Sequence, residues 1–108
     1  MYIVLTSRPG QYHSEPTDGI TPIETHDYFY GARHVAAFMV ARLDGEARVR
    51  IVEESAPGSG AQGVNLVPTR FFEKFASLRE ALGSIQDLTG HGHNEAKLIR
   101  RENQGFPD

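Results

Sequence analysis

Two β-prone segments meet at the dipeptide Asp44-Gly45, and this junction constrains the fold more than any other feature of the sequence. Residues 34–43 are almost entirely apolar, and residues 46–55 alternate apolar with charged side chains. An Asp-Gly pair between two such segments predicts a two-residue hairpin, because a type I′ turn needs positive φ at both central residues. The sequence therefore predicts a central β-hairpin with its turn at Asp44-Gly45.

The turn also fixes a register for this predicted hairpin. Val40 would lie opposite Val49, and Phe38 would lie opposite Ile51. Cross-strand neighbours on one face of a sheet pack together, so these apolar pairs predict the face that covers the core.

The other face of the predicted hairpin carries small apolar residues and two arginines. It would comprise Val35, Ala37, Met39, Ala41, Arg48 and Arg50. One interpretation is a solvated sheet face on which arginine stems cover alanines. The alternative is a docking surface for an anionic ligand or for a second copy of the chain. Because residues 35–43 are apolar on both faces, as in a central strand covered on both sides, we expect a partner.

Length and composition indicate one small globular domain. The chain has 108 residues, of which 39% are hydrophobic, and its formal net charge is −3. There is no cysteine, which excludes disulfides, thiolate catalysis and cysteine-ligated metal centres. The sequence offers neither a signal-peptide pattern nor an apolar run near the ~20 residues of a membrane span, so we expect a cytoplasmic protein.

Before the central segment, the sequence predicts one buried strand and a long loop. Residues 2–6 form a β-branched apolar run that Pro9 and Gly10 interrupt. Residues 11–25 are polar and contain prolines, which indicates either a functional loop or an irregular excursion anchored by isoleucines. Residues 26–31 are aromatic and alternate as a strand does.

After the central segment, the sequence predicts a linker, a short strand, a helix and a last strand. Residues 55–63 have the Gly/Ser composition of a linker, and residues 64–67 are strand-like. Ser77 with Glu80 forms a capping box, and apolar residues at helical spacing predict a helix over 77–89 that ends at Gly90. Residues 96–100 form a final strand that we expect beside the first.

These elements predict an α+β fold with a mostly antiparallel sheet of about five strands. The central hairpin and one principal helix on one face of the sheet are its main parts. The domain would span residues 1–102, and residues 103–108 would be a flexible tail.

The strongest metal-binding pattern is His91-Gly92-His93 with Glu95. In an extended chain, residues two apart project to the same side, and two imidazoles with a carboxylate suit a divalent metal. The alternative is a polar connection in which His91 lies near a helix C-terminus, where a cation is favourable.

Catalytic candidates lie near the aromatic segment, and they are His26, Tyr28, Tyr30 and His34. Pairs such as His13 with Glu15, or His26 with Asp27, have the chemistry of general acid–base catalysis. No nucleophile motif accompanies them, so these side chains are equally candidates for ordinary surface residues. With the His91 segment they could form a pocket.

Nucleic-acid binding is a further possibility that the charge argues against. Tyr28 and Tyr30 could stack bases with Arg33, Arg48 and Arg50 nearby, but the overall balance is acidic. We therefore expect no nucleic-acid partner, no membrane and no cofactor.

Together these patterns favour a non-enzymatic binding or accessory protein. It would act through the exposed sheet face, with Met39, Arg48, Arg50 and Arg33, and through the loop near the N-terminus. Self-association, or a role as a small subunit of a larger enzyme, is the expected use of that face. The alternative is a small cysteine-free enzyme or metal-dependent binder of small molecules with a His/Tyr-lined pocket.

Overall fold

The computed structural model describes residues 1–54, 63–90 and 96–101, and this part of the chain forms two antiparallel sheets and one α-helix. The predicted α+β class is thus confirmed, with seven strands rather than about five. The strands are β1 (Tyr2–Ser7), β2 (Tyr12–Glu15), β3 (Ile20–Tyr30), β4 (Arg33–Leu43), β5 (Arg48–Glu53), β6 (Val64–Pro68) and β7 (Ala96–Arg100), and the helix is α1 (Leu78–Thr89). A 3₁₀ turn covers Thr69–Phe71.

The strands divide between a four-stranded sheet, ordered β1-β4-β3-β7, and a three-stranded sheet, ordered β2-β5-β6. The helix α1 packs on one face of the four-stranded sheet, where Phe38 and Val40 meet Ile85. On the opposite face, Ala41 and Leu43 pack with Val49 of β5. The core therefore has two layers, one on each side of β4.

The strand β4 is consequently covered on both faces by its own chain. Val40 and Ala41 are adjacent in sequence and point to opposite faces, yet both are fully buried. This explains the continuous apolar run of residues 35–41, because a strand buried on both sides needs no polar face. The apolar side chains of β4 are covered by other parts of the same chain, so they do not require a partner to cover them.

The predicted hairpin at Asp44-Gly45 is wrong, because β4 and β5 lie in different sheets and do not pair. Asp44 has no positive φ, so a type I′ turn cannot form there. Instead, the Asp44 N–H donates to the Gly19 carbonyl, and the chain turns away from β4 into the second sheet. Crossing between sheets buries the second apolar face of β4, which a hairpin would have left in water.

The two-residue hairpin connects β3 to β4. Tyr30 pairs with Arg33, so Gly31 and Ala32 are the two turn residues. Gly31 has a φ of 62°, a conformation that suits glycine at the first central position of a hairpin turn.

The long loop predicted over residues 11–25 is also wrong, since most of it is strand. It contains β2 and the first half of β3, which pairs with β4 from Ile20 onward. Pro22 is accommodated beside a register irregularity between Pro22 and Glu24, where no ladder is continuous. The segment is polar because β2 is an edge strand and is only partly buried.

The helix begins and ends as its sequence predicts. The Ser77 hydroxyl oxygen accepts the Glu80 N–H at 3.1 Å, and the Glu80 carboxylate accepts the Ala76 N–H at 3.2 Å. Gly90 follows the last turn with a φ of 71°. The last strand β7 forms where predicted, but it pairs with β3, at the opposite edge of the sheet from β1.

The predicted tail and all of the predicted linker except Gly63 lie outside the described residues. None of the helical structure in the described ranges has the length and apolarity needed to cross a bilayer.

Replacing Ile85 with alanine tests the packing of α1 on the four-stranded sheet. Ile85 is fully buried, so Ile85→Ala should lower the free energy of unfolding by about 2–5 kcal/mol, as measured by urea denaturation. Leu88 is 69% exposed on the same helix, so Leu88→Ala should change it by less than about 0.5 kcal/mol. Equal effects of the two substitutions would contradict the orientation of the helix.

Candidate functional site

An open cleft of about 370 Å³ lies on the face of the four-stranded sheet opposite α1. Its apolar floor includes Leu5 of β1 with Ala37 and Met39 of β4. The turn between β1 and β2, with Pro9 and Gly10, forms one wall. The cleft is the part of this face that the three-stranded sheet leaves open. Two histidines, a carboxylate and a guanidinium group line it: His13, His34, Glu54 and Arg101.

A β-bulge in β4 brings His34 into this cleft. Tyr28 pairs with Ala36 and the next residue, Phe29, pairs with His34, so Val35 is the extra residue. Val35 and Ala36 both pack toward the helix, while His34 lines the cleft. Bulges commonly re-aim a side chain in this way.

His34 is held by a carboxylate and an aromatic ring. Its Nε2 lies 2.9 Å from Oδ1 of Asp27, and its ring stacks on Phe29 with a centroid separation of 5.0 Å. An ionised carboxylate only accepts hydrogen bonds, so Nε2 carries the proton and donates it. In the neutral ring, Nδ1 is then a hydrogen-bond acceptor, and no described residue donates to it.

Arg101 fixes Asp27 from the other side. Its Nε and Nη2 both donate to the Asp27 carboxylate, which is a bidentate contact, and its backbone N–H donates to Thr25. Burial alone raises the pKa of the Asp27 carboxyl, but the hydrogen bonds and charge of Arg101, with His34, lower that pKa below its usual value. Asp27 is therefore ionised at neutral pH, as its role of acceptor requires.

His13 lies between two carboxylates. Its Nε2 is 2.7 Å from Glu15, and its Nδ1 is 3.1 Å from Glu54, whose other oxygen accepts the Gly10 N–H at 2.7 Å. The hydrogen bonds that His13 donates to Glu15 and Glu54 raise the pKa of His13, because only the imidazolium can donate from both nitrogens. The same contact with His13, together with that from Gly10, lowers the pKa of Glu54.

The two histidines therefore have different chemical properties. His13 is stabilised as a cation and joins the β1–β2 turn, β2 and the end of β5 into one wall. When its ring is neutral, His34 has an accepting Nδ1 to which no described residue donates, so this nitrogen can take a hydrogen bond from a bound molecule.

The other three catalytic candidates do not reach this cleft. His26 pairs with Glu24 at 2.6 Å, and not with Asp27. Tyr28 lies on the helix side of the sheet, where its hydroxyl donates to the carbonyl of Thr89. Tyr30 is 50% exposed at the end of β3. The described candidates therefore do not form the pocket expected from the sequence.

The predicted binding residues are also dispersed. Met39 is in the cleft floor, whereas Ala41 is buried against the second sheet, so the expected exposed face does not exist as one surface. Arg48 and Arg50 lie on β5, where Arg50 pairs with Glu15 at 3.2 Å. Arg33 is exposed at the start of β4. The predicted face is not formed because it depends on the register of the Asp44-Gly45 hairpin, in which β4 and β5 would pair.

The metal candidates His91, His93 and Glu95 lie outside the described residues. Within residues 1–54, 63–90 and 96–101, no group of three histidines or carboxylates is arranged to hold a metal ion.

Neither Glu54 nor Arg101 is predicted as a site residue from the sequence, and Asp27 pairs with His34 and not with its neighbour His26. Glu54 and Arg101 are distant in sequence from their partners, and isolated charged residues give no local signal. His13 with Glu15 was recognisable, because residues two apart on a strand share a face.

Comparisons of this chain with protein-family models, curated proteins and solved structures found no match.

The pKa of His13 provides a test of the double carboxylate contact. We expect an NMR titration to place it above the ordinary value of 6.5, and we expect Glu54→Gln to lower it. The neighbouring exposed residue supplies the control, Glu53→Gln, which should leave it unchanged. Because the folded-state pKa is raised, the stabilisation is complete below about pH 6.5 and is lost as the pH rises through the raised value. If Glu54→Gln left the pKa of His13 unchanged, that result would contradict the contact between His13 and Glu54.

Proposed function

We propose that this chain is a non-enzymatic binding protein that holds a small molecule in the cleft between β4 and the β1–β2 turn. The observation that carries the proposal is the cleft itself, whose volume of about 370 Å³ falls within the range of small-molecule sites. It joins an apolar floor with polar side chains on the walls, and small-molecule sites combine these two kinds of surface.

The charges around the cleft favour a neutral or zwitterionic ligand. Arg101 is cationic and pairs with Asp27, and His13, whose pKa is raised, lies between the carboxylates of Glu15 and Glu54. A ligand of one sign would find these charges already compensated, whereas a zwitterion could contact both kinds of group. The Nδ1 of His34 would accept a hydrogen bond from a ligand N–H or O–H group.

The cleft retains part of the surface expected from the sequence. It takes Ala37 and Met39 from the expected face, and Pro9, Gly10 and Tyr12 from the segment before β3. Self-association is no longer supported by an apolar excess on β4, so a small molecule is the preferred ligand of this site.

The experiment is an NMR titration of the labelled 108-residue chain with three probes that share one apolar group. Leucine is a zwitterion, isovalerate an anion and isoamylamine a cation. We expect leucine to shift the amide signals of Ala37, Met39 and the β1–β2 turn at millimolar concentration, and to bind more tightly than the other two. A cleft that responds to none of the probes would contradict the proposal.

A matched pair of variants assigns the shifts to the cleft. Ala37→Leu adds bulk to the cleft floor and should abolish the leucine-induced shifts, whereas Ala32→Leu makes the same change in the exposed β3–β4 turn and should preserve them. Retained binding by Ala37→Leu would place the site elsewhere.

An enzyme is the alternative, and the specific observation that favours it is the Asp27–His34 pair with an accepting Nδ1. The same pair would act as a general base in ester hydrolysis. If this function is present, the protein should hydrolyse p-nitrophenyl acetate faster than an equal concentration of imidazole, and His34→Gln should remove the excess rate. If the protein only binds its ligand, neither the unmodified protein nor His34→Gln should show an excess rate.

A further inference from the structure

A groove of about 640 Å³ runs between α1 and the outer edge of β1. Val4 and Thr6 of β1 line it, and these residues point to the opposite side of the sheet from Leu5 and Ser7, which line the cleft. The groove is therefore a separate surface from the proposed small-molecule site. We propose that it binds a basic amphipathic segment of a partner protein.

The shape of the groove suits a segment of polypeptide. Its helical wall extends from Glu80 to Leu88, which is about 12 Å along the helix axis. The residues between them that line the groove fall on one stripe of the helix, at the spacing of successive turns. A helix or extended segment laid along this stripe would contact two turns of α1.

The side chains in the middle of the stripe project little from the helix, because Gly83 has no side chain and that of Ser84 is short. A glycine inside a helix costs about 1 kcal/mol relative to alanine. No atom lies within 4 Å of a Cβ built at Gly83, so packing within the described chain does not require glycine there. Its absent side chain does deepen the groove, which would let a partner backbone approach the helix closely.

The groove has apolar walls and a solvent-exposed apolar side chain at one end. Val4 and Phe75 line its inner part, and Leu88 is 69% exposed at the end of the helical stripe. Leu88 contributes little to the core, because the buried side of α1 is formed by Ala81 and Ile85. It can therefore serve as an apolar anchor for a docked segment.

The charge of the groove specifies a cationic partner. Glu73 and Glu80 line it, and none of the described residues that line it is lysine, arginine or histidine. The chain as a whole carries a net charge of −3, so long-range attraction also favours a basic partner. An amphipathic segment with lysine or arginine beside leucine-type residues complements both the charge and the apolar walls.

Two synthetic peptides test this inference with the full chain. Both have leucine at helical spacing, and the other positions are lysine in one peptide and glutamate in its counterpart. NMR titration with the lysine peptide should shift the signals of Thr6, Gly83 and Leu88, and added salt should weaken the binding. Equal binding of the glutamate peptide, or shifts spread over the whole surface, would overturn the proposal.

Variants separate docking from folding. Leu88→Ala should weaken binding of the lysine peptide about tenfold, whereas Leu66→Ala, at an exposed leucine on β6, should not change it. Gly83→Leu should block binding while keeping or raising the melting temperature, because the new side chain enters open space on a helix. Undiminished binding by Leu88→Ala or Gly83→Leu would overturn the assigned position.

A charge exchange tests the electrostatic part. Glu73→Lys should weaken binding of the lysine peptide several-fold, and Asp18→Lys, the same type of change in an exposed turn away from the groove, should have a smaller effect. Equal effects of the two substitutions would show that only net charge matters and would overturn the groove as the specific site.

Discussion

The burial of β4 on both faces is the constraint on which the rest of the structure depends. One face packs against α1 through Phe38 and Val40, and the other packs against β5 through Ala41 and Leu43. Because the helix and the three-stranded sheet each cover only part of the four-stranded sheet, two concave surfaces remain. The cleft lies beyond the cover of the second sheet, and the groove lies beside the helix. Both candidate sites thus lie where an element that packs on the four-stranded sheet leaves part of it open.

Local signals in the sequence predicted the elements whose causes are local. The Ser77–Glu80 capping box and the final Gly90 give the helix its ends, because cap hydrogen bonds join residues a few positions apart. The apolar run of β4 correctly indicated a strand buried on both sides. The covering element on the second face could not be inferred, because Asp44-Gly45 is typical of a hairpin turn and gives no local signal for a turn between sheets.

The candidate site was less predictable, since its contacts join distant parts of the chain. Asp27 and Arg101 are separated by 74 positions, and His13 and Glu54 by 41. The position of His34 depends on the bulge at Val35, and no residue type in this segment predicts a bulge there. Only His13 with Glu15 follows from strand periodicity. The hairpin register predicted from Asp44-Gly45 is wrong, and it places Arg48 and Arg50 on the wrong surface. The face predicted for every residue of a strand therefore depends on the turn that precedes the strand.

The most direct test of this arrangement is a measurement of nuclear Overhauser contacts around β4 in solution. Packing between two sheets predicts side-chain contacts from Ala41 to Val49, together with backbone contacts that pair Leu5 with Met39 and Thr25 with Met39. Backbone contacts that pair Val40 with Val49 and Phe38 with Ile51 would instead indicate the hairpin. That result would contradict the two-sheet fold and both surfaces derived from it.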